Sequence, residues 1–327
     1  MSRTPAAPVR AVLVAAAVVV LQAIIVSWFA WPATEIEPRD LPVVVAGPPP
    51  AVIAVTEQLN AVRPRAFQVT TVADGTAADQ RIRDRKVYAA FIVGADGMSL
   101  HVASAASPTV AALLTQASQV LAQQSGRPVT VVDVVPGPAG DPRGAGFASS
   151  FLPLVLTSLV AGILIFVLFS GWSVRLIGLA AYTVLAGLGG TAIMHWLGVL
   201  NGSYFANAGA VGLLALAVSA TIAGLGALLG PAGVGLGVVL VFLFGNPISG
   251  IAAAPELLPT PWGAIGQLLP PGAGATLLRS TAFFDGAGSM TPLWTLVGWA
   301  AVGLVLVVVG RATAVRGHAP GGQAAAS

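Results

Sequence analysis

The chain has 327 residues, 56% of them hydrophobic and 8% charged, with a formal net charge of +3. Soluble domains carry about 25% charged residues, so this composition excludes an ordinary soluble globule and marks an integral membrane protein. Cysteine is absent, which removes disulfides and thiolate chemistry. The basic excess sits in short segments beside apolar runs, the positive-inside pattern rather than a nucleic-acid patch.

The charges divide the chain. Residues 32–147 hold nine of the fifteen bases and ten of the twelve acids, whereas residues 148–310 carry only Arg175, Glu256, Arg279 and Asp285. One part is expected in water and the other in lipid. Fourteen arginines against one lysine, with heavy use of alanine, glycine and valine, fit a GC-rich bacterial genome.

Residues 1–10 are polar and include Arg3 and Arg10. Ala11–Trp31 is 21 residues without a charge, enough at 1.5 Å per residue to cross a hydrocarbon core of about 30 Å. It ends in Trp28-Phe29-Ala30-Trp31-Pro32, an aromatic belt rather than a small-residue cleavage site, and is expected to be an uncleaved anchor. Residues 32–147 are expected to form an extracytoplasmic α/β domain. Leu41–Pro49 predicts a buried strand, Ala51–Val62 a helix, Ala66–Asp74 a second strand and Ala77–Lys86 a charged helix. A third strand from Val87 turns at Asp96-Gly97 into a hairpin partner, MSLHVASA. Thr109–Gln124 predicts a helix with Val110, Leu113, Leu114, Ala117, Val120 and Leu121 on one stripe. Pro128–Pro136 is the last strand, and about 110 residues can bury one core.

Gly137–Gly146 is a linker by composition. Phe147–Ser170, Val174–Leu197 and Ala208–Leu229 predict the second to fourth spans. Trp172 and Arg175 mark a very short inner turn, and Gly230-Pro231-Ala232-Gly233 a tight one. Val234–Gly245 begins a short fifth span and Thr291–Gly310 is the sixth. The expected fold class is therefore membrane α-helical, with six transmembrane helices and the α/β domain inserted between the first two. Residues 148–310 form a five-helix membrane domain that includes a re-entrant segment over 248–290, and residues 311–327 a disordered cytoplasmic tail. Arg3, Arg10, Arg175, Arg311 and Arg316 lie near the inner ends, against Arg279 alone on the short outer loops. Both termini are thus expected in the cytoplasm of a bacterial plasma membrane.

The stretch Asn246–Met290 organises the rest. It is too apolar for an ordinary connector and too interrupted by Pro255, Pro259, Pro261, Pro270 and Pro271 for a spanning helix. It reads as two short helices, about Trp262–Leu269 and Ala273–Phe284, hinged at Pro270-Pro271 and dipping into the outer leaflet. The alternative is a surface loop with some apolar residues. Glu256 and Arg279 either line an outer vestibule, with Gln267 facing polar cargo, or serve locally. In the local reading Arg279 snorkels to head groups and Glu256 caps a short helix.

Gly226, Gly230, Gly233 and Gly237 have the four-residue spacing that lets spans approach closely, so they are expected to pack the fourth helix on the fifth. Gly187-x-Gly189-x-x-Ala192 lies inside a span and cannot serve as a dinucleotide fingerprint. No GxSxG elbow, HExxH or P-loop occurs, so neither catalysis nor a cofactor or metal is expected. His195, beside Trp196, reads as an interfacial side chain, and His101 as a strand-surface histidine. Arg81, Arg83, Arg85 and Lys86, interleaved with Asp79 and Asp84, read as a solvated helix face.

The run IRDRKVYAAFIV (Ile82–Val93), the linker VVPGPAGDPRGAG and the segment IGQLLPPGAGATLLRSTAFF (Ile265–Phe284) resemble, in order and spacing, the type 2 permeases of ATP-binding-cassette exporters. More narrowly they resemble the branch with a large outer insertion that includes the phage infection protein family. The resemblance covers Ala11 to Gly310. It implies a permease subunit that pairs with itself or a related permease and exports an amphipathic or lipid-linked compound, powered by a separate ATPase. Such permeases meet their ATPase through a cytoplasmic helix between spans two and three, where this chain has Ser170–Arg175. The other class left open is a non-transporting envelope protein whose outer domain binds a partner, a secretion component or a phage. Membrane lipids are expected partners in either case, and nucleic acid in neither.

Overall fold

The computed structural model describes residues 7–62, 64–94, 97–125 and 128–316. The first element, α1 (Ala7–Thr34), is longer than its uncharged core and exposes almost every apolar side chain. Only its last turns meet the rest of the chain. The Trp28 indole Nε1 donates to the Leu243 carbonyl at 2.7 Å, and Trp28 and Trp31 stand edge-on to Trp262.

A five-stranded sheet follows, in the order β2-β1-β3-β4-β5. The strands are β1 (Leu41–Ala46), β2 (Phe67–Val72), β3 (Ala89–Gly94), β4 (Gly97–Val102) and β5 (Val129–Asp133). The chain steps from β1 out to β2 through α2 (Pro49–Val62), then back across to β3 through α3 (Gly75–Arg83). Crossovers of one hand in opposite directions place the two helices on opposite faces. The cores agree: Leu41, Val43 and Val45 pack with α2, and Val44 and Ala46 with Ala78 and Ile82 of α3. β3 and β4 form the expected hairpin, with Gly94 paired to Gly97; Asp96 of the predicted turn lies outside the described residues. Helix α4 (Pro108–Ser125) joins α2 on its face and leads to β5, parallel to β4.

Five helices are long and apolar enough to cross a membrane: α1, α5 (Ala145–Leu168), α6 (Trp172–Trp196), α7 (Tyr204–Leu229) and the first 21 residues of α11 (Met290–Arg316). The chain is thus a multi-pass membrane protein. Asp141 fixes the start of α5, its carboxylate accepting from the backbone amides of Gly146 and Phe147 at 3.0 and 2.7 Å. At the other end Arg175 donates to the carbonyls of Phe166 and Phe169, a cation on a helix carboxyl end. Helix α7 is the axis of the bundle. Its faces are nearly all buried, because neighbouring backbones approach it through small residues. A Cβ on Gly162 of α5 would lie 2.6 Å from the Ser219 carbonyl, one on Gly187 of α6 2.5 Å from that of Ala208, and one on Gly224 2.4 Å from that of Gly303 in α11.

The expected packing glycines divide. Gly226 faces the Phe166 ring and Val234, Gly233 the Leu225 carbonyl, and Gly237 the Ile222 side chain. Gly230 has no neighbour within 4 Å and a φ of +66°. It is needed for its conformation, since it ends α7 and begins α8 (Pro231–Val238) in one residue. The predicted four-residue turn is therefore a single glycine.

Helix α8 runs into a π-helical turn, Val239–Phe244, and the two make 14 apolar residues. At 1.5 Å per residue this reaches about 21 Å, short of a hydrocarbon core. A 3-10 turn (Pro255–Leu257), α9 (Trp262–Gln267) and α10 (Pro270–Phe283) follow. The expected pair of short helices is present, with a shifted boundary. Pro270 and Pro271 are the first two residues of α10 rather than a hinge before it, where a missing amide is harmless and the fixed φ already suits a helix. Helix α10 is buried along most of its length, against α7 and α11. Indoles satisfy carbonyls that lie off the regular helices, Trp28 at Leu243 and Trp299 at Leu268.

Candidate functional site

The two halves of the molecule share their cores. Ala253, Ala254 and Leu257, from the segment before α9, are buried in the sheet core with Val43 and Val45. Phe284, just after α10, is buried on the opposite sheet face with Val44 and Ala46. The connector after α1 binds the same segment, the amides of Glu37 and Arg39 donating to the carbonyls of Leu257 and Glu256 at 3.1 and 2.9 Å. Between these contacts lies a cavity of about 480 Å³, walled by the starts of β1 and β3, the connector, the 253–264 segment and α10.

Four bases and one acid line it: Arg39, Arg85, Lys86, Arg279 and Glu256. Two of the bases are neutralised, Arg39 by Glu37 at 2.8 Å and Lys86 by Asp84 at 3.0 Å. Arg85 and Arg279 have no ion-pair partner among the described residues.

The end of α3 places Arg85. The amides of Arg85 and Lys86 donate back to the carbonyls of Ile82 and Arg81, closing the helix with a residue in the left-handed region at position 85 (φ +56°). Glycine normally takes that place, and another residue there costs of order 1–3 kcal/mol. The left-handed turn carries Arg85 off the solvated face of α3 and onto α10. There its Nη1 donates to the Thr276 carbonyl at 2.9 Å and to Ser280 Oγ at 2.5 Å. Its guanidinium lies 5.1 Å from the centre of the Phe284 ring. Burial pushes the Arg85 guanidinium below its ordinary value, although an arginine stays protonated in any protein.

Arg279 approaches from the other side. It is 6% exposed, donates to the Ile251 carbonyl and lies 4.7 Å from the centre of the Phe147 ring. Such burial rules out snorkelling to head groups. Two guanidinium groups from distant parts of the chain thus share one cavity. Each is held by a carbonyl and an aromatic face, and these contacts leave further donors on each fork for an anion.

Glu256 accepts from the Tyr88 hydroxyl at 2.8 Å, so its carboxylate reaches across to the sheet rather than back to its own short turn. Burial and that carboxylate push the Tyr88 phenol well above its usual range. Gln267 lines the cavity but its amide is engaged on both sides. It donates to the Ser249 carbonyl at 2.9 Å and accepts from Thr276 Oγ1 at 2.6 Å, tying α9 to the loop before it and to α10. The predicted Glu256, Gln267 and Arg279 therefore meet at one site, and Pro270 and Pro271 start the helix that carries Arg279.

Sequence reasoning missed Arg39, Arg85, Tyr88 and Thr276, and placed Arg85 on a solvated face. One signal was available: AADQRIRDRK has no glycine at its end, so a left-handed closure of the kind many helices use would fall on a charged residue. The two histidines among the described residues, His101 and His195, lie elsewhere. His101 Nδ1 is 2.6 Å from Asp79 Oδ1, a contact between β4 and α3 that local sequence did not indicate. His195 Nε2 is 3.1 Å from Asn207 Nδ2 and its ring stacks near Tyr204. No group of three or more metal-ligating side chains is found among the described residues.

Comparison with protein-family models, with curated proteins and with solved structures gave no match.

Proposed function

We propose that this chain is a permease-like membrane subunit that binds and moves an anionic amphipathic or lipid-linked compound, with the cavity holding the acidic head group. The observation that carries this reading is the meeting of Arg85 and Arg279 in one polar cavity without an ion-pair partner among the described residues. Arg279 is buried and Arg85 half-buried, with Glu256 as the one acid of the cavity acting on Arg85 only beyond ion-pair distance. A cation so placed is costly without closer compensation, and an arginine fork matches carboxylate and phosphate oxygens. In this reading the sheet domain lies outside a bacterial plasma membrane and both termini inside. The α8 segment with α9 and α10 completes a sixth crossing. The resemblance to exporter permeases suggests a separate ATPase as the energy source and pairing with a second permease. Helices α5 and α6 are joined by only Phe169–Gly171, so an ATPase would have to meet the helix ends themselves. That short turn favours the second reading, a non-transporting envelope protein whose outer domain binds a partner.

Purified protein in nanodiscs of mixed phosphatidylcholine and phosphatidylglycerol, released into native mass spectrometry, tests the head-group site. The expected result is retained phosphatidylglycerol, with its preference over phosphatidylcholine falling at least tenfold in Arg85→Gln and Arg279→Gln. Equal retention of the two lipids by the unmodified chain would overturn it. Orientation is checked separately with Glu57→Cys in this cysteine-free chain, which an impermeant maleimide should label from outside the cell. Co-purification of an ATPase favours the permease reading, and its absence under mild extraction favours the second.

A further inference from the structure

A second hollow lies on the sheet face shared by α2 and α4. It has a volume of about 480 Å³, within the range of small-molecule sites. Leu59 of α2 and Leu113 and Ala117 of α4 form its sides, and Phe67, Phe91 and Met98 of the sheet its floor. Its near end reaches the connector at Ile36, Glu37 and Pro38, one residue from Arg39 in the wall of the basic cavity.

A smaller cleft of about 230 Å³ borders both. It lies among Phe29 and Pro32 of α1, Phe151 of α5 and the loop before α9. The cleft shares Ile36 with the apolar hollow, and Ala253 and Leu258 with the basic cavity. Helix α1 presents an exposed apolar surface over nearly its whole length, so lipid has access to the cleft from the side. An apolar hollow, a cationic cavity and a lipid-accessible cleft thus meet around residues 36–39.

We infer that the α2–α4 hollow holds the acyl chain of the amphiphile whose acidic head occupies the basic cavity, an inference that rests on the head-group reading above. Charge complementarity sets one end of the ligand and the apolar lining sets the other. The shared residue Ile36 lies where a molecule leaving the bilayer beside α1 would bend. A single aliphatic chain suits a hollow of this volume whose wall includes the connector residues.

The test is photo-crosslinking of the full chain in bilayers with lysophosphatidylglycerol carrying a terminal diazirine on its acyl chain. Adducts are expected on the α2 and α4 peptides around Leu59, Leu113 and Ala117. Met98→Trp and Ala117→Trp, which fill the hollow from the floor and from the side, should each reduce those adducts at least tenfold while leaving adducts on α1. The map of the unmodified chain decides the matter even if a filled variant folds poorly. Adducts confined to α1 and α5, with binding still dependent on Arg85, would overturn the acyl site and leave the head-group reading standing. Equal labelling of α2 and α4 by the matching lysophosphatidylcholine would keep the acyl site and overturn the head-group reading.

Discussion

Arg85 combines an unfavourable backbone with a half-buried charge, and neither helps the fold by itself. The left-handed conformation would suit glycine at lower cost. Substitution by glycine therefore relieves backbone strain while it removes the bonds to Thr276 and Ser280. Arg85→Gly is expected to change thermal stability by less than about 1 kcal/mol while abolishing the preference for anionic lipid. A large fall in unfolding temperature would make Arg85 a structural residue. Tyr88 gives a pH prediction. Its folded phenol titrates above the unfolded value of about 10, because burial and Glu256 oppose ionisation. Its contribution to stability is thus complete below pH 10 and declines as pH rises beyond it. Tyr88→Phe should cost about 1 kcal/mol at pH 8 by leaving Glu256 without its donor. It should also flatten the alkaline part of the stability curve, read by thermal unfolding between pH 8 and 11.

At the scale of elements, the bundle depends on backbones brought together by missing side chains. Helix α11 lies so close to α7 that a Cβ on Gly303 would sit 2.5 Å from the Ala220 carbonyl carbon. Small residues at such crossings replace hydrophobic driving force, which lipid does not supply between helices. Gly303→Val should separate the two helices and cost 1–3 kcal/mol or more, in the range of overpacked cores; SDS-induced unfolding would read it. Gly298, with nothing within 4 Å, provides the control, and Gly298→Val should be nearly neutral. The four-residue glycine spacing in the sequence indicated the α7–α8 contact. Gly162, Gly187, Gly224 and Gly303, which bring α5, α6 and α11 onto α7, lie on different helices, so no spacing within one segment reveals their pairing.

At the scale of the molecule, the sheet domain and the segment before α11 form one body. Leu257 and Phe284 are buried in the sheet cores at 0% and 5% exposure. A fragment of residues 36–136 lacks both. It is expected to bind a hydrophobic dye and to exchange amide protons from β1 and β3 faster than the intact chain. Equal protection in fragment and full chain would show that the membrane segment is only docked on the sheet. In the permease reading this coupling bears on transport as well, since Arg85 and Arg279 are held on opposite sides of that junction. Any movement of the sheet domain relative to α10 would change their separation and with it the hold on an anion.

The sequence alone determined the multi-pass membrane character, the five long apolar helices, the strand and helix order of residues 41–133, and two short helices around Pro270-Pro271. These follow from local quantities: hydropathy summed over about twenty residues, alternation along a strand, and proline's missing amide. Glu256, Gln267 and Arg279 were legible as candidates because charge and amide are rare in an apolar run. Tertiary structure alone decided that Arg279 is buried, that Arg85 leaves its helix face to meet it, and that Tyr88 faces Glu256 across 168 positions of chain. Pairings at that separation leave no periodic trace in the sequence. They arise because one apolar segment completes the cores on both faces of a sheet, and the polar residues left between the two cores are then brought against one another and against the carbonyls of that segment.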